Sequence, residues 1–422
     1  MPSSLGVAGR PAHDQPEEGG AGMWELESRL QRYDWGSHTA IPEFLGRAPD
    51  GEPWAEAWFG AHPLAPSRLS TGQNLDAAIA ADPRRMLGDG VTRAFGDRLP
   101  YLLKVIAPAQ PLSLQVHPSR EHAAESFAAE TAAGLALDSP LRNYRDDNHK
   151  PEMLVALTDF TALCGFRTPR RAAAILEGLG ASLTGRLHAL LVGNPTAHGM
   201  RAAFRTLVSS SMRPSEAAVR EVVEACRARL ASGRSPSPRI DHTVTLLAEH
   251  HPGNPGVAAA LLLNPVTLQP GEALFVPDGT LHAYLHGVGL EIMAASDNVL
   301  RAGLTPKKVD AEEMLQCVSV AAAPPLRVAP EHQNDTTVAY YAPVDDFELS
   351  VTTLLDEPGA FRGRHPIPGS GPRTLLGIEG EVLVETDAGR HMLTAGKSLF
   401  LSAAAGPLRA GGAGRFVQAS VP

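Results

Sequence analysis

Gln115 and His117 stand two residues apart in Pro111-Leu112-Ser113-Leu114-Gln115-Val116-His117-Pro118, a spacing that sends both side chains to one side of an extended strand. Glu152 opens a second apolar run, Glu152-Met153-Leu154-Val155-Ala156-Leu157, and His282 follows the turn Pro277-Asp278-Gly279. If three strands lie side by side, these residues gather one amide oxygen, one carboxylate and two imidazoles into a shell without thiolate. Such a shell suits zinc or another divalent first-row metal. With a single carboxylate the ion stays net positive, as a Lewis acid acting on a carbonyl or hydroxyl oxygen must. Read one at a time the residues say less, because Gln-x-His recurs by chance and His282 also reads as an ordinary turn histidine.

The elements that must position these groups follow from the patterning. Leu112, Leu114 and Val116 alternate with Ser113, Gln115 and His117, which predicts a strand with three apolar side chains on one face and three polar ones on the other. Further strands are predicted at Leu99–Ala107, where Lys104 interrupts an apolar run, and at Ala260–Leu268, Ala273–Pro277 and Gly289–Ala295. Trp24, Trp54 and Trp58 suggest a tightly packed first sheet. From Thr168 onward Ala, Leu and Val take up helical spacing among Arg and Glu, which predicts an inserted helical unit. The chain therefore divides into a disordered leader over 1–22, a first β segment over 23–167, the helical insertion over 168–258, a returning β segment over 259–320 and a last β unit over 321–422.

At 422 residues the chain is long enough for two or three structural units. Lys and Arg number 37 against 46 Asp and Glu, for a formal net charge of -9, with no long basic cluster. Nucleic acid and anionic membranes are therefore not expected partners. Cys164, Cys226 and Cys317 are far apart and outside any CxxC pattern, which fits a reducing cytoplasm better than a disulfide framework.

Taken together the motifs resemble a family, the type I phosphomannose isomerases, which are bicupin zinc enzymes. The resemblance is carried by Tyr101-Leu102-Leu103-Lys104, the Pro111–Pro118 stretch, Asp147-Asn148-His149-Lys150-Pro151-Glu152-Met153, Phe275-Val276-Pro277-x-Gly279-x-x-His282-Ala283-Tyr284, and Glu291 through Lys307. It runs in order from about 23 to 310 and is looser beyond. It implies a mainly β fold with an α insertion, a bicupin of two jelly-roll-like barrels, the second without metal ligands. It also implies one zinc per chain on Gln115, His117, Glu152 and His282, and a catalytic arginine at Arg301. The implied reaction interconverts mannose 6-phosphate and fructose 6-phosphate through a cis-enediol, a step in mannose metabolism and in supply of the GDP-mannose precursor. The expected partner is a phosphorylated hexose and the expected state a cytoplasmic monomer.

The base that moves the carbon-bound proton stays open among Glu291, Asp297, His149 and Lys150. Glu291 comes first, because a carboxylate on an apolar strand has its pKa raised by burial. For the phosphate the candidates are Ser113, on the predicted polar face, and the cations Lys104, Lys150 and Lys307. A metal-dependent oxygenase or decarboxylase on the same fold would more naturally carry a His-x-His pair, and a sugar-sensing bicupin would not need Arg301. The catalytic cleft is expected where the first barrel meets the helical insertion.

Overall fold

The computed structural model describes residues 22–355 and 364–422, in which strands and helices alternate in blocks. Apart from Gly22, the leader expected over 1–22 lies outside the described residues. Among the described residues the strands form three antiparallel sheets, and two of them make the sandwich that holds the site. A central seven-stranded sheet runs in the order Leu326–Val328, Ala273–Val276, Glu152–Ala156, Gly289–Ala294, Tyr101–Ile106, Glu56–Phe59 and Arg29–Gln31. A five-stranded ligand sheet runs Leu300–Gly303, Leu114–Val116, His282–His286, Phe160–Phe166 and Leu263–Leu268.

Both faces of each sheet are buried, so the two-residue period of each strand decides which environment a side chain meets. On the central strands Met153, Val155, Leu103, Val105, Leu290 and Ile292 face Phe347, Leu376, Phe400 and Val417 of the C-terminal unit. Their neighbours Leu154, Ala156 and Ile106 face inward, against Ala162, Cys164 and Tyr284 of the ligand sheet. Outward, Leu114, Val116, Leu163, Ala283 and Leu285 of the ligand sheet pack on Leu176, Leu187, Phe204, Val222 and Leu247 of the helices. The inserted helices, from Pro169–Leu176 through Pro255–Ala259, thus roof the ligand sheet from outside. The third sheet encloses a core of its own, with Leu375, Val382, Val384, Leu401, Leu408 and Phe416. A mainly β fold with inserted helices is what the sequence predicts and what forms.

Three local expectations are corrected. The strand at the metal motif spans only Leu114–Val116, and Leu112 packs with Ile106, Leu154 and Tyr284 instead of sharing the outer face of Leu114 and Val116. The Leu112 amide donates to the Tyr284 carbonyl at 2.8 Å, so the chain crosses the sandwich edge before the alternation begins. The three tryptophans do not share one sheet. Strand Met23–Glu27 pairs with Ser398–Leu401 of the C-terminal sheet, and Trp24 stacks on Phe400 at 6.4 Å, whereas Trp58 faces Leu102 and Met293. In return Leu326–Val328 pairs with Ala273–Val276, so the 23–167 and 321–422 segments each lend a strand to the other unit's sheet.

The helical roof carries a buried ion pair of its own. Arg229 Nε donates to Asp241 Oδ2 at 2.5 Å, its Nη2 donates to Asp241 Oδ1, and Nη1 donates to the Ile175 carbonyl at 2.6 Å, with Asp241 fully buried. Removing one partner strands the other in an apolar interior. Asp241→Ala is therefore expected to destabilise the protein by about 3–5 kcal/mol, read as a lowered denaturant midpoint.

Candidate metal centre and sugar-phosphate site

Strand register brings the sequence candidates together. In the ligand sheet Gln115 pairs with His282 on one side and with Arg301 on the other, so the three side chains form one row across three strands. Directly registered residues share a face, and this row meets Glu152 from the facing sheet. His117 Nε2 lies 3.1 Å from Glu152 Oε1 and His282 Nε2 lies 3.4 Å from Glu152 Oε2. The ligand atoms of His117, Glu152 and His282 all lie within 4.8 Å of one another, and all three residues are buried.

Both imidazoles are held as the tautomer a metal needs. His117 Nδ1 donates to the Asn298 carbonyl at 2.7 Å and His282 Nδ1 to the Thr280 carbonyl at 2.9 Å, which leaves each Nε2 as the lone-pair nitrogen. His117 Nε2 is completely buried and has no partner of hydrogen-bonding geometry among the described residues. Its closeness to Glu152 is thus a distance without a shared proton, which suits two ligands facing one ion. Burial pushes the His117 imidazole down to about 4, against the raising pull of Glu152, and keeps it neutral. Burial would raise the Glu152 carboxyl, but Lys150 and His117 hold it well below its usual range. Lys150 Nζ sits 3.2 Å from Glu152 Oε1, and the Tyr284 hydroxyl donates to Oε2 at 3.2 Å. The donor set and the orphaned imidazole nitrogen fit a divalent metal with nitrogen and oxygen ligands.

Local backbone explains the placement of His282. Gly279 adopts φ +74°, and a Cβ there would stand 3.1 Å from the Cys317 carbonyl oxygen. The Asp278-Gly279 turn therefore closes only with glycine, and its amide donates to the His117 carbonyl at 2.8 Å, which ties the two histidine segments together.

The remaining candidates separate into groups. Glu291 pairs in register with Lys104 and with Leu154, two residues along from the Met293–Glu152 pair, so Glu291 and Glu152 are diagonal neighbours on the inner face. Lys104 Nζ lies 3.0 Å from Glu291 Oε2 and 3.7 Å from Glu56 Oε1, and 5.2 Å from the centre of the Trp58 ring. Burial raises the Glu291 pKa, Lys104 opposing. For Lys104 burial works to lower the pKa, but Glu291 and Glu56 outweigh it and the net shift is upward. Lys104 is thus engaged by two carboxylates. Asp297 Oδ2 stands 3.4 Å from His62 Nε2, and the Asp297 amide donates to Asp146 Oδ2 at 2.7 Å. His149 is placed otherwise: Nδ1 donates to Asp278 Oδ2 at 3.2 Å and Nε2 to Asp346 Oδ2 at 3.0 Å. Burial alone would lower this imidazole, but Asp278 and Asp346 together raise it to about 9.

Arg301 forms no ion pair among the described residues. Burial lowers its pKa, Tyr33 opposing and Arg145 adding; Lys307 is lowered by burial and then by Arg301, and its Nζ lies 5.8 Å from the centre of the Tyr33 ring. Arg301, Lys307 and Arg145 therefore make a local excess of positive charge beside the row of Gln115 and His282. Ser113 is half-buried just ahead of the strand. Sequence reasoning missed Arg145, Tyr284, Glu56, His62 and Asp346. Tyr284 stands in the same motif as His282 and was in reach; the others carry no local signal.

Comparisons with known proteins place nearly the whole chain. Residues 23–169 match the family model of the phosphomannose isomerase type I catalytic domain. Mannose-6-phosphate isomerase of Salmonella typhimurium is 38% identical over 403 residues, 94% of this chain and 99% of its own, and that of Escherichia coli is 36% identical with the same coverage. The solved structure of the Salmonella typhimurium enzyme bound to its substrate, fructose 6-phosphate, and to zinc superposes with a TM-score of 0.84 at 37% identity, covering 95% of this chain and all of that one.

Proposed function

The chain belongs to the type I phosphomannose isomerase family, and from that premise we propose that Gln115, His117, Glu152 and His282 hold the zinc and that Arg301 and Glu291 serve the reaction beside it. The protein is a zinc-dependent aldose–ketose isomerase that interconverts mannose 6-phosphate and fructose 6-phosphate. The observation that carries the site assignment is the register pairing of Gln115 with both His282 and Arg301, opposite Glu152.

Bound there, zinc supplies positive charge to the sugar oxygens where negative charge develops. The chain's own groups do the rest. Glu291 takes the C2 proton of the open-chain aldose and returns it to C1, while the hydroxyl proton passes from O2 to O1, giving the ketose. Lys104, held by Glu291 and Glu56, keeps that carboxylate aimed inward and takes this part instead of a phosphate contact. Arg301, permanently protonated and planar, grips O1 and O2 and steadies the enediolate. Lys150 fixes Glu152, and His62 orients Asp297 as a group for ring opening. The phosphate lies toward Lys307, with Arg145 added to the predicted set and Ser113 as a hydroxyl donor.

The division of labour is that of a catalytic barrel over 23–167 and 259–320, a helical roof over 168–258 and a C-terminal barrel over 321–422, with the strand exchanges described above. No helix among the described residues is long and apolar enough to cross a membrane. The three cysteines are free, and we place the protein in the cytoplasm as a monomer. Purified protein should convert mannose 6-phosphate to fructose 6-phosphate in a coupled assay, lose that activity on chelation and regain it with zinc. Zinc-loaded, folded protein without turnover would assign the site to another substrate.

A further inference from the structure

Each metal-ligand segment sends one side chain to a common point away from the metal. Arg120 follows His117 by three residues, His149 precedes Glu152 by three, and Asp278 precedes His282 by four. His149 reaches Asp278 through Nδ1 at 3.2 Å and Asp346 through Nε2 at 3.0 Å; Arg120 Nη2 donates to both oxygens of Asp346, at 3.0 and 3.2 Å. Asp346 comes from the C-terminal unit, in the turn between strands Thr337–Tyr340 and Glu348–Leu355, and its side chain is 3% exposed. The Arg120 guanidinium also touches His149 Nε2, so the buried Asp346 carboxylate is the anion that lets two cationic side chains meet.

From this knot we infer that Asp346 is a positioning residue through which the C-terminal unit, to which none of the proposed metal ligands belongs, fixes the three ligand segments of the catalytic barrel. The inference rests on the zinc-site assignment above and gives the C-terminal unit a part in catalysis. It acts on the geometry of His117, Glu152 and His282 through the backbone between each of them and the knot. Loss of the Asp346 charge leaves Arg120 and His149 in contact with only Asp278, on the far side of the imidazole, as counter-ion, and the Arg120 segment loses its anchor.

The test uses the zinc-loaded full chain and the isosteric substitution Asp346→Asn, which keeps shape and removes charge. Zinc release into a colorimetric chelator, read without substrate, should accelerate about tenfold, the lower end of what partners beyond the ligands contribute to metal affinity. With zinc in excess, kcat should fall while KM stays within about twofold, and Asp346→Glu should restore part of the zinc retention. If Asp346→Asn does not fold, Arg120→Gln, which removes an arm that is 43% exposed, is read in the same way. Wild-type zinc retention and wild-type kcat in a folded variant would overturn the inference. Because release is measured without sugar, the result stands apart from whether the protein turns over mannose 6-phosphate.

Discussion

Glu291→Gln is expected to lower kcat by about a thousandfold, within the range of about 10²–10⁴ for loss of a general base, with zinc content unchanged and KM little altered. Glu291 is 2% exposed and shares a buried cluster with Lys104 and Glu56. The substitution keeps the side-chain volume and a carbonyl oxygen for Lys104, but an amide does not accept a proton from carbon. A role confined to ion pairing makes a different prediction, and Glu56→Gln separates the two. That change weakens the hold on Lys104 from the other side, at 3.7 Å, and removes no base. It should cost stability, as removing a partner from a buried pair does, while kcat measured below the unfolding transition falls less than about tenfold. Equal losses of kcat in both variants would make Glu291 a structural carboxylate and move the proton transfer to another group. Exchange of the C2 proton with solvent, followed with the substrate bound, should disappear in Glu291→Gln and persist in Glu56→Gln.

The sequence made the candidate ligands legible because their arrangement follows from short-range rules. A two-residue spacing puts Gln115 and His117 on one side, and a Gly279 turn places His282 at a strand start, so only the pairing of strands remained to be supplied. The same rule misled at Leu112: alternation predicts faces only within a strand, and the strand begins at Leu114. Lys104 shows a second limit. On its own strand it is a single cation in an apolar run, and the two carboxylates that engage it sit on the neighbouring strands Glu56–Phe59 and Gly289–Ala294. Its role is set by register, which sequence spacing does not encode. Asp346 lies furthest from reach, since it meets His149 across 197 positions and from a unit that supplies none of the proposed ligands. The sheet that takes Met23–Glu27 was out of reach for a related reason: its partner strand Ser398–Leu401 lies in the last β unit, and short strands pair with whichever sheet folds beside them.

Arg301→Lys should lower kcat by about a hundredfold, the scale of losing one preorganised group that stabilises developing oxyanion charge. The strand pairing of Arg301 with Gln115 sets it in the row that ends on His282, and no carboxylate pairs with it among the described residues. Its five donors are therefore available for two vicinal oxygens at once, whereas a lysine offers a point charge without the planar fork. Charge is conserved in the substitution, so long-range attraction of the phosphorylated substrate persists and KM should change by less than about threefold. That split is what distinguishes the two places Arg301 could act. Lys307 and Arg145 are close enough to act on or be acted on by its charge, and a guanidinium serving the phosphate would lose binding in ground state and transition state alike. An elevated KM with kcat preserved would therefore assign Arg301 to the phosphate end with those two cations. A fall in kcat with KM preserved would mean that the interaction strengthens only as the enediolate forms, and would put the row of Arg301, Gln115 and His282 along the bond between C1 and C2.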